Sequence, residues 1–140
     1  MRVSGSLLVA VTVSLAACER GPNAGISERV TIDWARAEHE VVSSAHEVSP
    51  GLEDRASRGD LAAKDVAVGL DGALTELAKT HQTVLRELTR MGRVATEAEV
   101  AQLSARMTEA VRRVETRVGR ARVLLAQEAQ VPEPSGEPVR

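Results

Sequence analysis

Imidazole and carboxylate groups come together in one segment of the chain, around His39 and His46. The two histidines lie seven residues apart and Glu47 follows the second, so the residue types suit a zinc or copper site. On a helix, positions seven apart are separated by roughly 10.5 Å along the axis, whereas a zinc–nitrogen bond is about 2 Å long. We therefore interpret both histidines as solvated surface residues. The alternative is a metal- or ligand-binding sensor or buffer whose site another helix completes.

Arginine side chains form a second group, towards the end of the chain. Arg106, Arg113, Arg117 and Arg120 fall within about 60° of one another around a helix axis. The segment 28–47 carries five carboxylates against two arginines, so we predict that it packs beside the arginines and forms internal ion pairs with them. The alternative is a surface that contacts lipid phosphates, an anionic cell-wall polymer or an acidic protein.

Catalytic patterns are absent from the sequence. The serines and threonines are scattered, without a glycine-rich elbow or a histidine arranged beside them. Neither a phosphate loop nor a dinucleotide fingerprint is present. The formal net charge of −2 also provides no global field for nucleic acid. We predict a protein that is not an enzyme and has no nucleic-acid partner.

The first residues have the pattern of a secretory signal. Arg2 is followed by an apolar run from Leu7 to Ala17 of roughly 11 residues, which is too short to span a bilayer but typical of a signal-peptide hydrophobic region. The run ends in Leu15-Ala16-Ala17-Cys18, which resembles the lipobox of bacterial lipoproteins. Cys18 is also the only cysteine of the chain, so it has no partner for an intramolecular disulfide.

The resemblance implies that signal peptidase II cuts between Ala17 and Cys18. Cys18 would then carry a covalent diacylglycerol and an N-acyl lipid, and no other cofactor is expected. Glu19 follows, rather than the aspartate of an inner-membrane retention signal, which favours the periplasmic side of the outer membrane in the bacterial cell envelope. The expected function is that of a lipid-anchored structural or interaction protein whose partner is an envelope protein or a second copy of the chain.

The elements that position these residues are helical. There is one Trp and no Phe or Tyr, so the core must be built from Leu, Val, Ala and Met, which suits helix packing. Apolar residues recur in steps of three and four, and predict helices over about 27–48, 60–91 and 96–129. We expect Asp60 to be an N-cap and Thr96-Glu97-Ala98-Glu99 to form a capping box.

We predict an all-α fold: a three-helix antiparallel bundle, or a long helical hairpin with a shorter N-terminal helix anchored by Trp34, with coiled-coil-like packing. Ser49-Pro50-Gly51 should end the first helix, and 50–59 is either loop or a new helix. Residues 1–17 are the signal peptide, 18–26 the lipidated cysteine and a flexible tether, 27–130 the bundle and 131–140 a disordered, proline-rich tail.

One histidine falls inside an apolar seam. In the second helix the seam runs through Leu77, His81, Val84 and Leu88 with the spacing of a coiled coil. A single polar residue in such a seam often sets helix register or partner choice, and we favour that role for His81. The alternative is a pH-responsive or ligand-binding group.

Overall fold

Three long helices make up the part of the protein that the computed structural model describes, residues 24–128. They are α1 (Ala24–Ser57), α2 (Leu61–Met91) and α3 (Glu97–Glu128), with a short 3-10 helix (Gly92–Val94) between α2 and α3. Short turns join consecutive helices, so α2 runs antiparallel to its two neighbours. Each helix packs against the other two. The predicted all-α three-helix bundle is confirmed.

The first helix is longer than the sequence predicts. We expected it to end at Ser49-Pro50-Gly51, but α1 continues through Pro50 to Ser57 and, at 34 residues, is the longest of the three helices. A proline inside a helix costs about 3 kcal/mol. The continued helix buries Leu52 completely beside Val48, which is 5% exposed, and burying one such side chain contributes about 1.5–3 kcal/mol. Burial of Leu52 therefore offsets much of the local cost of Pro50, and the hydrogen bonds that Arg55 of the continued helix makes to Asp60 and to the Leu124 carbonyl add to it.

The start of α1 also differs from the prediction. Residues 24–26, which we assigned to a flexible tether, form its first turn. Ile26 packs against the core, and the hydroxyl of Thr31 donates to the carbonyl of Ser27 at 2.8 Å. The apolar contact of Ile26 explains why helix begins before the polar stretch that we took as its start.

A tight turn at Gly59 joins α1 to α2. Gly59 has a φ of +91°, a backbone conformation that glycine adopts without steric cost. The next residue, Asp60, caps α2 as predicted and accepts a hydrogen bond from the Ala63 N–H at 3.1 Å. Arg55 of α1 donates to the Asp60 carboxylate at 2.8 Å and to the Leu124 carbonyl of α3 at 2.7 Å. This arginine therefore ties all three helices together at one end of the bundle.

The second connection contains the predicted capping box. The Thr96 hydroxyl accepts from the Glu99 N–H at 3.2 Å, and the Glu99 carboxylate accepts from the Thr96 N–H at 2.8 Å. Before it, α2 ends at Met91 and Gly92 takes a φ of +57°, as the glycine stop predicts. Both boundaries could be predicted from the sequence because each depends on hydrogen bonds between residues a few positions apart.

The predicted apolar faces of the three helices meet in one core. Trp34, the expected anchor of α1, is 5% exposed, and Val41 and Val48 on the same face are also buried. The largest fully buried side chains come from every helix, so the core depends on all three. They are Leu52, Leu70, Leu77, Val84, Met107 and Val114.

Several predictions concern residues outside 24–128. The signal peptide, the lipidated Cys18, its following residues up to 23 and the tail at 131–140 lie outside the described residues and stay predictions. Within the described residues, no helix combines the length and the apolar character needed to cross a bilayer.

Candidate functional site

A long groove between α2 and α3 is lined by five arginines. We call it the arginine groove and define it by its lining. The small residues in it are Gly69, Gly72, Ala73, Ala105 and Ala110, and the cations are Arg106, Arg112, Arg113, Arg117 and Arg120. Its larger part, nearer the α1–α2 turn, encloses about 840 Å³. The α2 wall there consists of Gly69, Gly72, Ala73 and Glu76, so the arginines of α3 border open space that one carboxylate of α2 also lines.

Two carboxylates pair with three of the five arginines. Arg106 donates to Glu87 of α2 at 2.8 Å. Arg112 and Arg113 both pair with Glu109, one turn earlier on α3, and the Arg113–Glu109 distance is 3.3 Å. Desolvation raises the pKa of Glu109, but the charge of Arg112 and hydrogen bonds from both arginines outweigh it, and the pKa lies below the ordinary glutamate value. Glu109 is therefore one negative charge shared by two arginines at neutral pH.

The remaining two arginines are not compensated. In the described part of the chain, no carboxylate lies within ion-pair distance of Arg117 or Arg120. The Arg117 guanidinium lies directly against Gly69, so that a methyl group added to this glycine would stand 2.7 Å from Nη1. One turn on, a methyl group at Gly72 would have no atom within 4 Å. The groove thus combines unpaired positive charge with room for a ligand.

The structure corrects our interpretation of the arginine stripe. We expected Arg106, Arg113, Arg117 and Arg120 to pair with the acidic first helix, but they face the α2 side of α3. The flank of α3 that faces α1 carries Val111 and Glu115 instead. The core-facing arc of α3 lies between these two flanks, so the arginines cannot turn towards α1.

Chemically, the groove suits recognition of an anion. A guanidinium presents a planar fork of N–H donors that matches carboxylate and phosphate oxygens, and it stays charged at all physiological pH values. Arg113, Arg117 and Arg120 follow one another at roughly 6 and 4.5 Å along the helix axis. That spacing suits an extended series of acidic groups better than one small anion.

The sequence prediction missed Arg112. Its position falls outside the 60° arc of the other four arginines, yet it lines the groove and shares Glu109. A usable signal was present, because Glu109 precedes Arg112 and Arg113 by three and four residues, the spacing at which side chains on a helix surface meet.

The candidate metal ligands lie elsewhere, on α1. His39 and His46 are both exposed, as their positions opposite the apolar seam predict. The carboxylate of Glu47 pairs with Arg122 of α3 at 3.6 Å. The described residues contain no group of three His, Cys, Asp or Glu side chains placed to hold a metal ion.

A second polar feature, which the sequence did not predict in full, joins α1 to α2. His81 lies in the α2 seam, and its Nδ1 contacts the carboxylate of Glu38 on α1. These side chains are 17% and 27% exposed, and the His81 Nε2 is buried without a hydrogen-bond partner among the described residues. Because the contact requires one register of α1 against α2, it favours the register-setting role over ligand binding.

Comparisons with models of known protein families, with curated proteins and with solved structures found no match to this chain.

Proposed function

We propose that this chain is a lipid-anchored, non-catalytic interaction protein of the bacterial cell envelope, and that it binds an acidic partner through the arginine groove. The observation that carries the proposal is the pair Arg117 and Arg120, which border an open groove and have no carboxylate within ion-pair distance among the described residues. Glu76 and Glu109 line the same groove but pair with Lys79, Arg112 and Arg113. Unpaired arginines bordering a concave surface are a common feature of sites that recognise anionic groups.

The lipobox resemblance supports the anchor. Cys18 precedes the first residue of α1, Ala24, by six positions, so a lipid on Cys18 would hold that end of the bundle within about 20 Å of the membrane surface. The arginine groove begins at Arg106, about two and a half turns beyond the start of α3 at Glu97, and extends away from that end. A partner in the groove would therefore lie beside or above the membrane rather than within it.

The hydroxyl groups support a non-catalytic role. Along the helices, Thr75, Thr83 and Thr116 each donate to the backbone carbonyl one turn earlier, at 3.0, 2.9 and 2.9 Å. Ser49 does the same at 2.8 Å. Hydroxyls engaged in this way satisfy helix carbonyls, and none of these four is paired with a histidine that would activate it as a nucleophile.

The anchor is tested by metabolic labelling with an acyl probe. Wild-type protein should incorporate the probe and sediment with membranes, whereas Cys18→Ser should lose both properties. Membrane association that persists without the label in the Cys18→Ser variant would contradict the proposed anchor.

The groove is tested by site-specific photocrosslinking in intact cells. A photoreactive amino acid is placed at Thr116, which lines the groove, and for comparison at Thr75, an exposed α2 position outside it. We expect discrete crosslinked products from position 116 only, and their loss when Arg117→Glu and Arg120→Glu are added. Equal crosslinking from both positions, or no effect of the charge reversal, would refute the groove as the binding surface.

A further inference from the structure

Three arginines of the groove repeat with heptad spacing. Arg106, Arg113 and Arg120 are each seven residues apart and all exposed, so they form one stripe along α3 with steps of roughly 10.5 Å. We call it the basic stripe. Charges at this spacing are the pattern by which neighbouring helices in coiled coils select their partners.

The first helix carries a matching series of opposite charge. Asp33, Glu40 and Glu47 are also seven residues apart and exposed, and they form an acidic stripe on α1. Asp33 and Glu40 have no ion-pair partner in the described part of the chain. Over its whole length α1 has seven carboxylates against three arginines, so it is the acidic helix of the bundle.

The two stripes do not meet within one molecule. Glu40 lines the groove between α1 and α3, whereas the basic stripe lies on the opposite flank of α3, beside α2. Among the described residues, the one ion pair between the acidic stripe and α3 joins Glu47 to Arg122, a residue outside the basic stripe. A two-fold dimer requires one self-complementary surface, and the two stripes provide it when they lie on either side of the symmetry axis.

The stripes also lie at the same heights along the bundle. Glu47 contacts Arg122, and Gly51 packs against Leu125, so positions 74 or 75 apart in sequence lie level on the parallel helices α1 and α3. Asp33, Glu40 and Glu47 precede Arg106, Arg113 and Arg120 by 73 positions each. Every acidic group therefore has an arginine at its own level.

From this register we propose that the acidic partner of the arginine groove is α1 of a second copy, in a parallel two-fold dimer; this inference rests on the proposed function. In such a dimer the symmetry axis runs along the helices beside α3. The α1 side of each copy then faces the α2 side of the other at the same height. Asp33, Glu40 and Glu47 of one copy pair with Arg106, Arg113 and Arg120 of the second, and the reverse. Arg106, Arg113 and Glu47 keep their internal partners Glu87, Glu109 and Arg122, so the intermolecular pairs extend these ion pairs into networks.

Two further features fit this arrangement. The side of α3 opposite the core, which would lie at the axis, carries the small exposed residues Ala98, Ala105 and Gly119. Arg112 lies on the same line between Ala105 and Gly119, and it is paired with Glu109 of its own helix. In addition, a parallel dimer presents both copies of residue 24 at one end. Both Cys18 lipids could therefore enter the same membrane, which an antiparallel pair of bundles would not allow.

The test is the oligomeric state of the mature lipoprotein in mild detergent, measured by sedimentation equilibrium at low salt. The acidic-reversed variant carries Asp33→Arg and Glu40→Arg, and the basic-reversed variant carries the matching changes Arg106→Glu and Arg113→Glu. We expect a wild-type dimer and a dissociation constant raised by roughly tenfold or more in each variant, because four of the six intermolecular pairs become repulsive.

Mixing the two variants should restore a heterodimer, since both sets of pairs are then attractive again. The matched control is Glu28→Arg with Glu53→Arg, which makes the same charge change on the other flank of α1 and should dimerise as the wild type does. Circular dichroism checks that every variant is folded. A wild-type monomer, a dimer indifferent to both reversals, or a mixture that does not recombine would overturn the inference.

The photocrosslinks from Thr116 separate the two proposals. A product at the mass of two copies supports the dimer. A product with a different envelope protein from a chain that sediments as a monomer overturns the dimer and leaves the proposed function standing. Binding of the folded protein to anionic vesicles through the same arginines, without any crosslink to a protein, would overturn both the dimer and the proposed function.

Discussion

Replacing Leu52 with alanine tests the least expected part of the fold, the continuation of α1 beyond Pro50. Leu52 is fully buried in the core, although the sequence pattern predicts that the helix ends before it. A Leu→Ala change at a buried site removes the transfer free energy of the lost carbons and leaves a cavity, which together cost about 2–5 kcal/mol. If residues 50–59 were instead a surface loop, the cost would be below about 0.5 kcal/mol.

The expected loss is large enough to measure in a melting experiment. A domain of roughly 100 residues unfolds with an entropy near 0.2 kcal/mol per kelvin at its midpoint. A loss of about 3 kcal/mol therefore lowers Tm by about 14 °C. In a domain whose total stability is about 5–15 kcal/mol, the variant should remain folded at room temperature.

Urea unfolding followed by circular dichroism gives the free energy of unfolding, and thermal unfolding gives Tm. Leu61→Ala is the matched control, because Leu61 is 74% exposed on α2 and should change the free energy of unfolding by less than about 0.5 kcal/mol. Leu77→Ala, at a core position of α2, sets the scale for full burial. The reasoning fails if Leu52→Ala resembles the Leu61 variant rather than the Leu77 variant.

Three other predictions follow from the same contacts. Pro50→Ala should stabilise the protein by about 1–3 kcal/mol, because it restores a helix hydrogen bond; an unchanged or lower urea midpoint would argue against a continuous α1. A double-mutant cycle of His81→Ala and Glu38→Ala should give a coupling free energy of about 0.5–3 kcal/mol, whereas strictly additive effects would mean that the contact between α1 and α2 contributes nothing.

The third prediction concerns Asp60, whose pKa is lowered by the hydrogen bond from the Ala63 N–H and by Arg55. Because the pKa of Asp60 is lower in the folded than in the unfolded protein, its carboxylate stabilises the fold fully above about pH 5. This stabilisation is lost as the pH falls below about 4. Asp60→Asn should reduce the dependence of the urea midpoint on pH in that interval, and an unaltered pH profile would contradict the capping role.

Most of the fold was predictable because helix formation and helix ends depend on residues that are close together in the sequence. The apolar faces of α2 and α3 follow the helical repeat, and their boundaries at Asp60, Gly92 and Thr96 depend on hydrogen bonds to residues close in sequence. The end of α1 was not predictable in this way. Pro50 has a strong local preference for ending a helix, and only the core contacts of Leu52 and the Arg55 bonds to α2 and α3 reveal why the helix continues.

The candidate site, like the fold, was predictable only in part. Spacing alone placed Arg106, Arg113, Arg117 and Arg120 on one flank of a helix, and it placed His39 and His46 on a solvent face. It did not reveal which neighbouring helix that flank faces, because the rotation of α3 in the bundle depends on how the three apolar faces pack together. The predicted pairing with α1 was wrong for this reason.

The sequence by itself therefore determined the helical class, three of the four helix ends at the two connections, and the charge carried by each helix, since these depend on composition and short-range spacing. The tertiary structure decided the length of α1, the contact between Glu38 and His81, and the direction in which the arginines point. Those properties arise from side chains that are distant in sequence, and they become defined only when the three helices share one core.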